Sequence, residues 1–361
     1  RQRHSTFYLQ KVAEQEVRLA GPNPKRSATL IHERIGNIRH AWQWAVEQNQ
    51  LDAINQSLDG YARYHEYAGL IGDGLALVDE TLAELRKRNQ AAPGPHVPYL
   101  LVQSFLLIWK AHFSDRLGHS GDAIATAEEA LALAVRSEDC YGIARAESIL
   151  GALLPNQGRF EEALAHQHNA LRYAEETDDL RLRARATCRL GIIQWRYGQY
   201  QAARTTLPAA LQLSESLQDK AAMARALSSL GGVPWEQDDL EQALIFVEQA
   251  ARIYDEIGDR IGRANMAGNL ALIYSRLGRF DAALAANQFD LDVATELGDR
   301  HGIATTLGNR GSIYEAQHSF ELALTCYQQA QEIERELGNI WDAARQAAAI
   351  AHLQHLVGND D

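Results

Sequence analysis

A period of forty residues runs through about two-thirds of the chain without a gap. Ala123, Ala163, Ala203, Ala243, Ala283 and Ala323 share one position of it, and Ala144, Ala184, Ala224, Ala264, Ala304 and Ala344 share another. Phe113, Leu153, Ile193, Val233, Ile273 and Ile313 form an all-apolar position, as do Leu133, Tyr173, Leu213, Ile253, Val293 and Ile333. A fixed period of this size is the mark of stacked supersecondary units, each burying its apolar face only against its neighbours. Such an array grows lengthwise, so 361 residues do not by themselves imply two or three globular domains.

The same register predicts two helices per unit. Asp139, Asp179, Asp219, Asp259, Asp299 and Asn339 fall where a side-chain oxygen would cap the free amides of a starting helix. Gly118, Gly158, Gly198 and Gly278 then close a first helix of about five turns, with Asp238 and His318 replacing glycine in two units. A second helix follows, for example from Phe280 to Leu297, and Gly258, Gly298 and Gly338 close it. The invariant alanines allow helices to approach closely. Pro155 and Pro234 are expected to kink or shorten their helices, and Gly231-Gly232 to weaken one of them. The last helix, Ile340 to Val357, carries His352, Gln354 and His355 and reads as a polar cap. The fold class expected is all-α: a right-handed superhelical α-solenoid of stacked antiparallel helix pairs.

Gly268-Asn269-Leu270-Ala271-Leu272-Ile273-Tyr274, with Leu277-Gly278-Arg279-Phe280 and Ala283-Leu284, closely resembles the tetratricopeptide repeat pattern in a forty-residue form. Gly308-Asn309-Arg310-Gly311-Ser312-Ile313-Tyr314, with Phe320 and Ala323-Leu324, matches it again. The resemblance covers residues 110 to 349 and implies a protein-interaction role.

Before the regular array, one helix is expected over Arg3 to Leu19, a break at Gly21-Pro22-Asn23-Pro24, and a longer helix over Ser27 to Asn49. Helices over Leu51 to Tyr67 and Leu70 to Arg88 read as a degenerate repeat, and Ala91-Ala92-Pro93-Gly94-Pro95 as a loop before a buried helix near Tyr99. The expected organisation is a junction segment over 1–50, degenerate repeat helices over 51–109, regular units over 110–339, and a capping helix with its tail over 340–361. His4 to Leu9, Leu19 to Pro22, and Asn37 to Trp42 with Trp44-Ala45 resemble the segment that follows the nucleotide-binding and winged-helix domains of bacterial STAND-type regulators. Ile35-Gly36 departs from the acidic residues of that pattern. In that family a C-terminal repeat array serves as sensor or inhibitory arm; a plain helical cap is the alternative. Arg1 in place of Met predicts a piece of a longer chain.

Charge narrows the partners. The net charge is −12, which argues against direct nucleic-acid binding. Residues 1–49 hold eight Lys or Arg against four Asp or Glu, a basic segment on an acidic body. Cys140, Cys188 and Cys326 are too far apart for a zinc site and odd in number for a disulfide framework, which suits a reducing, cytoplasmic setting. The apolar stretch Tyr99 to Trp109 is about half the length a membrane helix needs.

Motifs of catalysis are absent from the sequence. There is no phosphate-binding Gly-x-x-x-x-Gly-Lys-Ser/Thr loop, and Gly69, Gly72 and Gly74 follow no strand. His166 and His168 would point to opposite sides of a helix, and His352 with His355 lacks a third ligand, so both pairs read as surface histidines. No cofactor and no metal is expected.

Binding residues are expected on the concave face, lined by first helices. One position beyond the second alanine column lie Arg145, Arg185, Arg225, Asn265, Thr305 and Arg345, and one turn on lie Arg189, Asn269 and Asn309. With Trp195, Trp235, Arg196 and Arg276 these form a basic, amide-bearing and aromatic groove. The family resemblance implies that Asn269 and Asn309 hold an extended peptide backbone. Arg145, Arg185, Arg189 and Arg225 suit carboxylates or phosphates; the alternative pairs them internally with Glu147, Glu175, Glu176 or Asp178 and places the tryptophans in the core. The leading functional expectation is a non-catalytic sensor arm of a larger STAND-type signalling ATPase or transcriptional regulator. Its partner would be a protein, a peptide or a small effector, with a possible intramolecular contact to a nucleotide-binding domain. The alternatives are a stand-alone adaptor for another protein's extended peptide and a Rap-like phosphatase effector.

Overall fold

Residues in the left-handed backbone region recur every twenty positions from Gly118 to Gly338. Seven are glycine, but Glu138, Asp178, Gln218, Asp238 and His318 take the same conformation with φ of 51–62°. All but Asp178 reverse the chain by one device: the amide of the following residue reaches five residues back, as in Asp139 to Ala134 at 3.0 Å and Asp299 to Ala294 at 2.9 Å, closing the helix end, while the Asp179 amide donates to Thr177 Oγ1 at 3.4 Å. The residue after the turn then opens the next helix. Asp139, Asp179, Asp219, Asp259 and Asp299 each accept from amides two or three positions on, and so does Asp239. Asn339 departs from the series, donating its Nδ2 to Glu334 at 2.6 Å.

The computed structural model describes residues 1–19, 24–89 and 97–358, and these form helices with no strand among them. In order they are α1 (Gln2–Leu19), α2 (Pro24–His32), α3 (Ile35–Glu47), α4 (Leu51–Tyr67), α5 (Ile71–Asn89), α6 (Val97–Arg116), α7 (Ser120–Arg136), α8 (Cys140–Leu153), α9 (Phe160–Glu176), α10 (Leu180–Arg196), α11 (Tyr200–Ser216), α12 (Lys220–Glu236), α13 (Leu240–Ile257), α14 (Arg260–Arg276), α15 (Phe280–Leu297), α16 (Arg300–Ala316), α17 (Phe320–Glu336) and α18 (Ile340–Gly358). The array is an all-α solenoid of helix pairs. It separates into two compact units, Arg1–Ser229 and Leu230–Asp361. None of the described helices is long and apolar enough to cross a membrane.

In both units the small column works as packing: Ala123, Ala163, Ala203, Ala243, Ala283 and Ala323 are fully buried, and so is the apolar column from Phe113 to Ile313. The second alanine column is buried from Ala144 to Ala304 but exposed at Ala344 on α18.

Four expectations change. The helix anticipated over Ser27 to Asn49 is two helices, α2 and α3, broken at Glu33-Arg34 ahead of Gly36. Pro155 does end its helix, which tightens into a 3-10 turn over Leu154–Gln157, whereas Pro234 is carried inside α12 without shortening it. The capping helix is not uniformly polar, because Ile340 and Trp341 at its start are exposed, Trp341 by 89%. His166 is no plain surface residue either: its Nδ1 lies 2.5 Å from the buried Glu147 carboxylate. The Gly21-Pro22-Asn23 break and the Ala91 to Pro95 loop lie outside the described residues.

Candidate functional site

First helices of successive pairs in the first unit, α4, α6, α8, α10 and α12, surround a cavity of about 280 Å³. Its lining brings together Arg145, Arg185, Arg189 and Arg225 from the predicted column, and adds Arg63 and Glu66 from α4 and Trp109 and His112 from α6. The floor is apolar, with Ile108, Ile149, Leu182 and Ile192.

The five arginines divide into two kinds. Arg145 is neutralised: its Nη1 donates to both Asp59 oxygens at 2.7 and 2.8 Å, and its guanidinium sits 5.5–5.7 Å from the ring centres of Phe105, Tyr141 and Trp109. Trp109 Nε1 donates to the same carboxylate at 2.6 Å. Burial alone would raise the Asp59 pKa, but the charges of Arg145 and Arg63 outweigh it and hold the group at about 2. Among the described residues, Arg185 and Arg225 make no ion pair, and the buried Arg63 Nε has no hydrogen-bond partner. Arg189 donates only to a neutral acceptor, Ser148 Oγ, at 2.8 Å.

These cations repel. The guanidinium of Arg63, then burial, then Arg225 pull the Arg185 pKa down to about 9. Burial and Arg225 pull Arg189 to about 10. Glu66 beside Arg189 and Asp219 beside Arg185 offset this only in part. Glu66 accepts from His112 Nε2 at 3.1 Å; burial raises its pKa but is outweighed by that bond and by neighbouring cations, leaving it at about 2. Glu16, on α1, is pushed up by burial and by Asp59. A cluster of unpaired guanidiniums over an apolar floor is arranged to bind an anion.

The other predicted site residues lie elsewhere. Arg196 is exposed and bonded to Asn156 at 3.1 Å, and the half-buried Trp195 does not line the cavity. In the second unit Arg276 pairs with Asp238 at 2.5 Å and stacks 4.7 Å over Trp235, so those two serve each other. Asn265 and Asn269 are exposed on α14, and Asn309 is half-buried on α16. The internal partners considered for the arginines are not used by Arg145: Glu147 is engaged by His166 and by Asn169 at 3.3 Å. Sequence reasoning missed Asp59, Arg63 and Glu66, although their spacing of four and three puts them on one face of α4.

A larger hollow of about 1020 Å³ borders α3, α4 and α5. Its lining mixes Arg39 and Arg88 with Glu47, Asp73, Glu80 and Glu84, and Arg39 pairs with Asp73 while Arg88 pairs with Glu84, so it lacks the cationic excess of the smaller cavity.

A family model described as tetratricopeptide repeat matches residues 142–216, 222–288 and 262–336. No curated protein sequence matches the chain. Among solved structures, a signal transduction ATPase with numerous domains and a tetratricopeptide repeat sensor, from Pyrococcus horikoshii, is similar at a TM-score of 0.63 and 12% identity. That likeness covers 96% of this chain and 54% of the other, so the chain spans about half of that protein. A Rap protein complexed with competence and sporulation factor gives a TM-score of 0.61 at 14% identity over the full length of both chains. Aspartyl phosphate phosphatase F from Bacillus subtilis gives 0.54 at 13% identity, covering 97% of this chain and 94% of that one. At these identities the likeness is one of fold.

Proposed function

Because this chain belongs to the tetratricopeptide repeat family, whose arrays are protein-interaction modules, we propose that it is a non-catalytic sensor arm that captures an anionic ligand in the arginine cavity of its first unit. The observation that carries this reading is the unpaired set of Arg63, Arg185 and Arg225 around one cavity. Cations gathered in excess of their counter-charges cost stability, and a ligand that supplies the missing anion recovers it. The likeness to an ATPase whose repeat array is called a sensor supports placing the arm in a STAND-type signalling protein, where ligand capture would shift its contact with a nucleotide-binding domain.

The test is a thermal-shift screen of acidic peptides and small anions on the wild type and on Arg185→Glu with Arg225→Glu. A ligand that raises the melting temperature of the wild type and leaves the variant unmoved supports the reading. A variant that melts well below the unliganded wild type makes the arginines structural and ends it. The sequence encoded upstream of Arg1 separates arm from adaptor: a nucleotide-binding domain there supports the arm.

A second reading rests on the second unit, where Asn265 and Asn269 are exposed on a first helix. An adaptor holding an extended peptide backbone would use these amides, with Asn309, and would be indifferent to changes at Arg185.

A further inference from the structure

We propose that the ligand of the arginine cavity is a small phosphomonoester dianion, an inference that rests on the sensor reading and names its substrate class. Charge balance argues first. Asp59 is committed to Arg145, and Glu66 is shared with His112. With Glu66 and the charge of Asp219 counted against them, Arg63, Arg185, Arg189 and Arg225 still carry more positive charge than one further carboxylate could answer. A phosphomonoester brings a charge near −2 and three acceptor oxygens at neutral pH.

The donor type argues the same way. Every cation of the lining is arginine and none is lysine. Planar guanidiniums bind phosphate bidentately and lose less hydration than ammonium groups on entering an enclosed site.

Size and lining then separate a small molecule from a peptide. About 280 Å³ sits at the lower edge of small-ligand pockets. No asparagine or glutamine lines the cavity to engage a peptide backbone; the candidate amides belong to the other unit. Glu66 retains acceptor capacity for a ligand hydroxyl, and the apolar floor of Ile108, Ile149 and Leu182 covers a carbon skeleton.

The experiment is calorimetric titration of the full chain at constant ionic strength with glycerol phosphate, inorganic phosphate, succinate and a phosphoserine peptide. Glycerol phosphate should bind at least about tenfold tighter than succinate, the dicarboxylate control for charge. Its affinity should fall as pH drops through about 6, where the ester becomes a monoanion. Arg185→Gln should weaken it about thirtyfold or more, while raising the melting temperature of the unliganded protein by relieving repulsion from Arg63. Equal binding of succinate overturns the phosphate assignment, and tighter binding of the phosphopeptide overturns the small-molecule assignment. Absence of any phosphate binding, with an acidic peptide still captured through Arg185 and Arg225, overturns this inference and leaves the sensor reading standing. Loss of stability in unliganded Arg185→Gln counts against both.

Discussion

Arg145 on α8 donates from one nitrogen to both carboxylate oxygens of Asp59 on α4, 86 residues earlier in the chain. Both side chains are nearly enclosed, at 12% and 14% exposure. The pair anchors one wall of the cavity and keeps Arg145 out of the unpaired set.

Asp59→Ala should therefore destabilise the first unit by about 3–5 kcal/mol, since it strands a buried guanidinium among aromatic rings. Replacing both partners with apolar residues, Asp59→Leu with Arg145→Met, should recover most of that loss. Urea unfolding of the wild type, the single variant and the double variant measures it. Equal damage from the single and double changes would contradict the account.

Acid should weaken the protein in a defined window. Asp59 and Glu66 are both held at about 2 in the folded chain, against ordinary values of 3.8 and 4.5. Depressed carboxylates stabilise above their unfolded pKa, and that contribution is lost as pH falls through the folded value. Stability should thus fall between about pH 4.5 and about pH 2, with Asp59 supplying about 2 kcal/mol. Glu16, raised by burial, acts in the opposite sense and is relieved on protonation. Melting temperatures over pH 2–6 should be less steep for Asp59→Asn than for the wild type.

Gly60 should reverse the usual sign of a helix substitution. It lies inside α4, where alanine would ordinarily add up to about 1 kcal/mol of helix stability. A methyl group there would stand 2.4 Å from the backbone oxygen of Val12 on α1. Gly60→Ala should cost about 1–3 kcal/mol by forcing the two helices apart. Gly72→Ala on α5, with nothing within 4 Å, serves as the neutral comparison in the same denaturation assay.

Much of the architecture was legible because forty-residue periodicity encodes neighbours that are also close in sequence. The buried column from Phe113 to Ile313 and the capping aspartates followed directly from it. The arginine column could be counted for the same reason. Its charged neighbours could not, because Asp59, Arg63 and Glu66 sit on α4, outside the regular register, and reach Arg145 and Arg185 only through stacking of first helices. The partner of Arg276 was hidden for a related reason: the spacing puts Arg276 and Trp235 together, but does not show that Asp238 at the adjoining turn captures the arginine. Beyond Asp238 and His318, the turns also hid Glu138, Asp178 and Gln218 in the left-handed region, since twenty-residue spacing rather than residue type identifies them.

That spacing makes the chain divisible. Gly258 precedes Asp259 as Gly298 precedes Asp299, with the same reversal and the same capped start on either side. Removing residues 259–298 would join Gly258 to Asp299 and rebuild a junction the protein already contains. An ancestral gene could gain or lose forty codons at such a seam with both neighbouring helices still meeting a compatible end, so the length of the array is open to evolution one hairpin at a time while the cavity in the first unit stays untouched.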